Sequence, residues 1–230
     1  MYTAIQLLRL NVGGFNWDLT EEEILEFFDS CDAYWMHNED PTMPHAQLTS
    51  GLCSNGYFNV PEVLQYPGVC EVLADQLRRK LELELTDCFR WVVGSAYSAI
   101  TFSYEMAKLF KVKHGFAHKG ESQQMIWRDG VIRPDESVLQ IEELITTEKT
   151  LRGVRKAIDE AHGNGNVRFL PVVGCIVHRP ASLLEVTDIK IVSLIQREIW
   201  KVKPEHCPLC EAGSPRLKPK EHWRELTKKR

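Results

Sequence analysis

The most informative stretch of the sequence is Val138-Leu-Gln-Ile-Glu-Glu-Leu-Ile-Thr-Thr-Glu-Lys-Thr150. It combines a short apolar strand, two adjacent acidic residues, two apolar residues and a run of hydroxyl side chains that opens a helix. Acidic side chains at a strand end can accept hydrogen bonds from sugar hydroxyls or hold Mg²⁺. Backbone N–H groups and threonine hydroxyls at a helix N-terminus form a cradle for phosphate. The two halves suit a phosphorylated sugar, although a capped helix after a strand with exposed acids gives the same pattern.

Around this stretch the chain alternates between strands and helices. Short apolar runs predict buried strands, and 3.6-residue periodicity predicts helices over about 98–110 and up to about 162. The predicted strands are 90–94, 114–117, 138–141 and 167–177. This alternation predicts a mainly parallel sheet with helices on both faces. Ligands of such sheets bind at the carboxyl ends of the strands, so the turns that follow the strands are expected to converge on one site.

The segment before this core has a different pattern. Thr20 and Glu23 form a capping box at the start of an amphipathic helix. Residues 48–59 are rich in Gly, Ser and Asn and end in aromatic residues, which predicts a loop or a short hairpin. Helical periodicity returns from Val60 to Leu81, interrupted by a turn at Pro67.

Composition excludes several classes of protein. The chain has 230 residues, of which 43% are hydrophobic, and a formal net charge of -4, so it can bury a sizeable core and has no global basic field for nucleic acid. Its longest apolar run, Phe169–Val177, falls far short of the ~20 residues of a membrane helix. The N-terminus lacks the pattern of a secretory signal. Seven scattered cysteines predict a reduced, cytoplasmic protein.

The motifs of the chain resemble those of the type I phosphoribosyltransferase family, most closely its bacterial orotate phosphoribosyltransferases. The family motif for phosphoribosyl pyrophosphate (PRPP) is an apolar strand, two aspartates, two apolar residues, Thr-Thr-Gly and a further hydroxyl residue. Glu142 and Glu143 stand where the aspartates would be. Thr146, Thr147 and Thr150 match the phosphate-loop hydroxyls.

Five further segments resemble family motifs in the same order, over roughly residues 40–220. They are the segment from His45 to Tyr57, which resembles the family's "LTSG" region over the base, the pyrophosphate loop within Trp91–Ile100, the strand end Phe116-Ala-His-Lys119, the run Val177-His-Arg179, and the tail with Cys207-Pro-Leu-Cys210. Five motifs in the family's order seldom arise by chance.

The resemblance implies a fold and a division of the chain. The fold is α/β, with a mainly parallel sheet flanked by helices and a small hood made by the N-terminal segment and the C-terminal tail. The division is 1–60 for the N-terminal helix and hood segment, 61–195 for the phosphoribosyltransferase-like core, and 196–230 for the tail. The family also implies a homodimer.

The implied activity is transfer of a phosphoribosyl group from PRPP to orotate or a related pyrimidine-type base, with release of pyrophosphate, in pyrimidine nucleotide synthesis. Mg²⁺ is the implied cofactor. Carried over by position, catalytic roles fall to Glu142, Glu143 and Lys119, and the two acids also hold Mg²⁺ through water. PRPP binding falls to Thr146, Thr147, Lys149, Thr150, Ser95, Tyr97 and Ser98. Base binding falls to Arg179, Ser50 and Gly51.

The departures from the family pattern leave alternatives open. Two glutamates replace the aspartates, Glu148 replaces the phosphate-loop glycine, and Ser98-Ala99 replaces a glycine pair. The mobile loop, 121–128, lacks the family's lysine and histidine. A non-catalytic homologue that binds PRPP or a nucleotide as a sensor or structural protein fits these changes, as does a transferase for another base. Lys149 is expected to offset the charge of Glu148.

Individual residues have ordinary alternatives as well. Arg179 could form a surface ion pair, and Lys119 could be a solvated lysine. Cys207 and Cys210 have the spacing of a zinc knuckle, but the sequence has no second such pair. A tetrahedral Zn²⁺ site then needs His206, distant residues such as Cys175 or His178, or the same pair from a second subunit. A plain structural turn with two buried thiols is the alternative.

Overall fold

The structure is a computed structural model that describes residues 1–182 and 188–227. Its strands are β1 (Tyr34–Met36), β2 (His45–Gln47), β3 (Cys53–Ser54), β4 (Gly56–Phe58), β5 (Trp91–Ser95), β6 (Lys113–Lys119), β7 (Met125–Trp127), β8 (Ser137–Ile145), β9 (Arg168–His178), β10 (Lys190–Gln196), β11 (Lys201–Val202) and β12 (Arg216–Leu217). Its α-helices are α1 (Ala4–Leu8), α2 (Glu21–Ser30), α3 (Val60–Leu64), α4 (Pro67–Glu82), α5 (Ala99–Phe110), α6 (Lys149–Ala161), α7 (Pro208–Glu211) and α8 (Trp223–Leu226). Val12–Gly14 and Pro204–His206 form single 3₁₀ turns.

A six-stranded sheet forms the core, in the order β10-β9-β8-β5-β6-β7. Every neighbouring pair is parallel except β6 and β7, which are antiparallel. The predicted strands are all present, and β7 and β10 are additions. β7 lies within the segment that was predicted to be a mobile loop. In the structure this segment instead forms a hairpin with β6.

Helices cover both faces of this sheet, as the alternation predicts. On one face, Leu73 and Leu77 of α4 and Phe102 of α5 are buried in the largest core cluster together with Ile141 of β8. On the other face, Val154 and Ile158 of α6 pack with Val93 and Val138. The direction in which successive strands are added to the sheet reverses at β5, because β6 lies on one side of β5 and β8 lies on the other. Such a reversal opens a crevice at the carboxyl ends of the two strands.

A separate four-stranded sheet has the order β11-β3-β2-β12, and we call it the hood sheet. β2 and β3 form the predicted hairpin, closed by a hydrogen bond from Leu48 N to Leu52 O at 2.8 Å. Gly51 has φ +81 in this turn, a conformation that favours glycine. The outer strands β11 and β12 come from the tail. Division of the chain at residues 60 and 195 stays a prediction.

The N-terminal helices follow their sequence signals. The Thr20 side chain accepts a hydrogen bond from Glu23 N, and the Glu23 side chain accepts one from Thr20 N, so the predicted capping box is present. α4 begins at Pro67, whose missing N–H costs nothing at the first helical position.

Among the described residues, no helix combines the length and hydrophobicity that a membrane crossing requires.

Candidate active site

The first acidic residue of the pair is fixed between two strands at the crevice. Ser95, the last residue of β5, donates a hydrogen bond from Oγ to Glu142 Oε2 at 2.5 Å. Gln140 Nε2 donates to Glu142 Oε1 at 2.8 Å. The sequence placed the acids after the strand, but β8 continues past them because Leu144 and Ile145 still pair with β9. Glu142 is 2% exposed, so the alternative of exposed acids is wrong for this residue.

The environment of the two acids favours their protonated forms. Burial raises the pKa of Glu142 to about 7; the hydrogen bond from Ser95 opposes this shift, and the charge of Glu143 adds to it. Burial also raises the pKa of Glu143, against a hydrogen bond from the Ser98 side chain. Perturbed carboxyl groups that converge in a crevice are typical of functional sites, because structural acids are usually solvated or ion-paired.

A pH dependence of stability follows from Glu142. Its carboxyl has a higher pKa in the folded chain than the ~4.3 of an unfolded glutamate, so folding favours the protonated form. The stabilisation is complete below the pKa of the unfolded group and is lost as pH rises through about 7. We expect Glu142→Gln, which mimics the protonated form, to gain about 3–4 kcal/mol in unfolding free energy relative to the wild type between about pH 4 and pH 8. Urea unfolding across this range measures the difference, and a constant difference would contradict the pKa assignment.

The phosphate-loop residues follow β8 directly. Thr146 and Thr147 form the turn between β8 and α6; Thr146 is half-buried, whereas Thr147 is exposed. Lys149 and Thr150 open the helix and are exposed. Glu148 is the N-cap residue with φ -72, so a glutamate is accommodated here without a left-handed backbone.

The Glu148 carboxylate is directed at its own helix. It forms an ion pair with Arg152, which also pairs with Asp188. Within residues 1–182 and 188–227, the ion-pair partner of Glu148 is therefore Arg152 and not the neighbouring Lys149, and an offset of the charge by Lys149 stays a prediction. The reason is helical geometry, since residues four apart share a face of a helix and adjacent residues do not.

The pyrophosphate loop connects β5 to α5. Tyr97 is 87% exposed, and the Ala96–Tyr97 peptide bond is cis. The Ser98 side chain reaches back to Glu143. Lys119 ends β6, the neighbour of β5, and is exposed at the same edge of the sheet. A role for Lys119 and its solvated alternative both remain predictions.

Arg179 is buried, immediately after β9. It is 7% exposed, and its Nη1 donates to Gly56 O at 3.5 Å. Nε has no hydrogen-bond partner and no carboxylate pairs with the guanidinium among the described residues, so the alternative of a surface ion pair is wrong. Burial lowers the pKa of Arg179, and the nearby Tyr57 hydroxyl opposes this shift. An incompletely satisfied buried cation suits an anionic ligand.

Similarity to known proteins agrees with this geometry. An orotate phosphoribosyltransferase of Carboxydothermus hydrogenoformans is 31% identical over 175 residues, which cover 76% of this chain and 88% of the relative. One from Chlorobaculum parvum is 33% identical over 201 residues, covering 86% and 94%. The chain belongs to the orotate phosphoribosyltransferase family. The predicted family is thus confirmed, while no protein-family model matches the chain.

Solved structures confirm the predicted fold of this orotate phosphoribosyltransferase-family chain. The orotate phosphoribosyltransferase of Aeropyrum pernix aligns with a TM-score of 0.58 at 16% identity, over 75% of this chain and 93% of that one. The adenine phosphoribosyltransferase of Leishmania tarentolae aligns with a TM-score of 0.52 at 12% identity, over 78% and 90%. At these identities the likeness concerns the fold alone.

The predicted site residues of this family member are only partly brought together. Contacts within the described residues join the acidic pair to Ser95 and Ser98, and the Thr146–Thr147 turn follows the pair directly. Ser50 and Gly51 lie in the β2–β3 turn, and no described hydrogen bond joins them to Arg179. The residues beside Arg179 are Gly56 and Tyr57, which were not among the predicted base-binding residues. Tyr57 could have been singled out because it ends the quoted motif, whereas the close packing at Gly56, where a Cβ would meet Met36 Sδ at 2.3 Å, is visible only in the structure.

Proposed function

We propose that the chain transfers the phosphoribosyl group of PRPP to orotate and releases pyrophosphate, forming orotidine monophosphate. The observation that carries this proposal is the pair of contacts Ser95–Glu142 and Ser98–Glu143. They join the pyrophosphate loop to the acidic pair at the point where the strand order reverses. The names of the curated relatives support orotate as the base.

In this reaction a ring nitrogen of orotate attacks the anomeric carbon of PRPP, and the proton of that nitrogen passes to solvent. The bond from this carbon to the pyrophosphate oxygen breaks, and pyrophosphate leaves with the electron pair. Positive charge develops on the ribose ring in the transition state. Carboxylates beside the ring stabilise that charge, and preorganised groups do so without reorganising. Glu143 is the acid that can reach ribose hydroxyls, since it is half-buried whereas Glu142 is 2% exposed and is held by Ser95 and Gln140.

The donor set at this edge fits Mg²⁺, which prefers oxygen ligands and is usually held by one or two carboxylates together with substrate phosphates. We propose that Glu143 holds Mg²⁺ through water and that Glu142, deeper in the crevice, supports this arrangement. When bound, Mg²⁺ neutralises charge on the departing pyrophosphate. Glu142 orients the site through its bonds to Ser95 and Gln140.

The remaining groups divide between the two ends of PRPP and the base. The 5′-phosphate is held by hydroxyl and backbone N–H groups of the turn before α6 and of the first residues of α6. These groups belong to Thr146, Thr147, Lys149 and Thr150. Groups after β5 and β6 face the pyrophosphate: Ser95, Tyr97, Ser98 and Lys119. Arg179 holds the orotate carboxylate through two parallel hydrogen bonds, and Ser50 and Gly51 lie over the base. By family resemblance we also propose a cytoplasmic homodimer.

Removal of the negative charge at the phosphate loop should strengthen PRPP binding. Glu148→Gln leaves Arg152 with Asp188 as its partner and makes the loop more positive by one charge. We expect the KM for PRPP to fall about 3–5-fold, since a partly solvated charge contributes about 1 kcal/mol. Glu160→Gln, at the far end of α6, is the matched control and should leave KM unchanged. A rise in KM for Glu148→Gln would place the phosphate elsewhere.

The activity itself is tested with purified, reduced protein, PRPP, Mg²⁺ and orotate, following orotidine monophosphate by chromatography. Turnover with orotate and none with adenine supports the proposal. Binding of PRPP by calorimetry without turnover of any base supports the second candidate, a non-catalytic homologue, which Glu148 in the phosphate loop favours. Turnover of another pyrimidine but not of orotate identifies a different base.

A further inference from the structure

Four metal-ligating side chains converge where the hood sheet contacts the tail. His45 lies on β2, Cys53 on β3, and Cys207 and Cys210 lie at the start of α7. One donor atom from each, three thiol sulfurs and one imidazole nitrogen, lies within 4.8 Å of the other three. Cys210 is half-buried and the other three side chains are buried. The strands and helices of the core separate the two pairs in sequence, with His45 and Cys207 162 positions apart.

The distances among the donor atoms match a tetrahedron around one metal ion. Cys53 Sγ and Cys210 Sγ are 3.6 Å apart, and His45 Nε2 lies 3.6 Å from Cys207 Sγ and 3.4 Å from Cys210 Sγ. A tetrahedral Zn²⁺ with bonds of about 2.3 Å to sulfur and about 2.0 Å to nitrogen has edges of about 3.5–3.8 Å. The observed edges lie close to these lengths.

The surrounding hydrogen bonds orient the ligands for a metal. Ser214 Oγ donates its single proton to Met43 O at 2.6 Å, so it must accept at 2.8 Å from His45 Nδ1–H. This fixes the tautomer in which the lone pair of Nε2 faces the sulfurs, the arrangement that outer partners impose on metal-bound histidines. The backbone N–H of Cys210 donates to Cys207 Sγ at 3.4 Å, which suits a thiolate.

We propose that His45, Cys53, Cys207 and Cys210 bind one Zn²⁺ in a closed tetrahedral site. Binding replaces the three thiol protons, which pass to solvent, and leaves a site with one net negative charge beside Arg216, the register partner of His45 on β12. Because the protein supplies all four ligands, the ion is structural and fastens the β2–β3 hairpin to the tail.

The sequence suggested other residues as the remaining ligands beside Cys207 and Cys210, and this assignment replaces them. His206 lies in the preceding 3₁₀ turn and is exposed, and Cys175 is buried in the core sheet near Glu142. A pair from a second subunit is unnecessary, because one chain supplies four donors. A disulfide between Cys53 and Cys210 is the chemical competitor, but it requires the two sulfurs to approach to about 2.05 Å.

The test is the zinc content of the full-length protein, expressed in zinc-supplemented medium and purified with a reductant and without chelator. We expect about one zinc per chain by plasma mass spectrometry. Cys53→Ser and His45→Ala should lose it, whereas Cys88→Ser, which alters an exposed cysteine, should retain it. Less than a tenth of a zinc per wild-type chain, or zinc retained in both ligand variants, overturns the proposal.

Cobalt gives a second measurement that does not depend on the variants folding. Wild-type protein stripped of metal under reducing conditions and titrated with Co²⁺ should show a sulfur-to-cobalt charge-transfer band and the intense visible bands of tetrahedral Co²⁺, saturating at one equivalent. Added Zn²⁺ should abolish them. Absence of these bands, or a mass two daltons lower that marks a disulfide in freshly purified protein, contradicts the site.

Discussion

Arg179→Ala should lower kcat/KM for orotate by about 10²–10³-fold, mainly through KM. The variant loses two charge-assisted hydrogen bonds to the base carboxylate, together about 3–4 kcal/mol, and tenfold corresponds to about 1.4 kcal/mol. Its effect on the KM for PRPP should be small, because the guanidinium lies beside Gly56 and Tyr57 and makes no described contact with the acidic pair. Steady-state kinetics with each substrate varied in turn measure both constants.

The control for this variant lies at the other end of the same strand. Arg168→Ala removes an exposed arginine that pairs with Asp87 and should leave both constants unchanged. Exposed pairs of this kind contribute little to stability, so the control should fold normally. If Arg179→Ala raises the KM for PRPP rather than for orotate, the guanidinium faces a phosphate and the base lies elsewhere.

Glu143→Ala should abolish Mg²⁺-dependent affinity for PRPP. The substitution removes the carboxylate that the crevice leaves partly accessible, and the Ser98 hydroxyl loses its acceptor. We expect at least a 100-fold weaker Kd in calorimetric titrations with Mg²⁺, and little difference between titrations with and without the ion. Loss of this half-buried carboxylate also relieves its desolvation, so the variant should fold at least as stably as the wild type.

A surface carboxylate provides the comparison. Glu84→Ala breaks an ion pair with Lys190 at the far edge of the sheet and should bind PRPP normally. Thermal unfolding of both variants shows whether any loss of affinity arises from loss of structure. Unchanged PRPP affinity in folded Glu143→Ala would mean that the site is wrongly placed.

The core of the fold could be predicted from sequence because its signals are local. Thr20 and Glu23 mark the start of α2 within four residues, and the apolar runs of β5 and β9 are nearly continuous because both faces of these strands are buried. β10 reads Lys-Ile-Val-Ser-Leu-Ile-Gln, in which a polar residue recurs at every third position, so neither strict alternation nor a continuous apolar run marks it as a strand. β11 and β12 are two residues long, too short for any period to be visible.

The site was harder to predict because its details depend on contacts between distant segments. Motif order placed Glu142 at the crevice, but the burial that shifts its pKa depends on how β5 lies against β8. No sequence motif marked Arg152. It pairs with Glu148 because residues four apart lie on the same face of α6. Likewise, Cys207 and Cys210 were recognised by spacing, whereas His45 and Cys53 become their neighbours only when the hood sheet forms.

The hood sheet has a consequence for the order in which the chain is built on the ribosome. β2 and β3 emerge early, but their outer partners emerge only after the whole core, with His45 pairing in register with Arg216. Until then both edges of the hairpin expose unpaired N–H and C=O groups, which can pair with strands of other chains. Emergence of β11 and β12 therefore completes a sheet that β2 and β3 began before the core was made. A stalled or shortened chain would carry a finished core with an open, aggregation-prone hairpin.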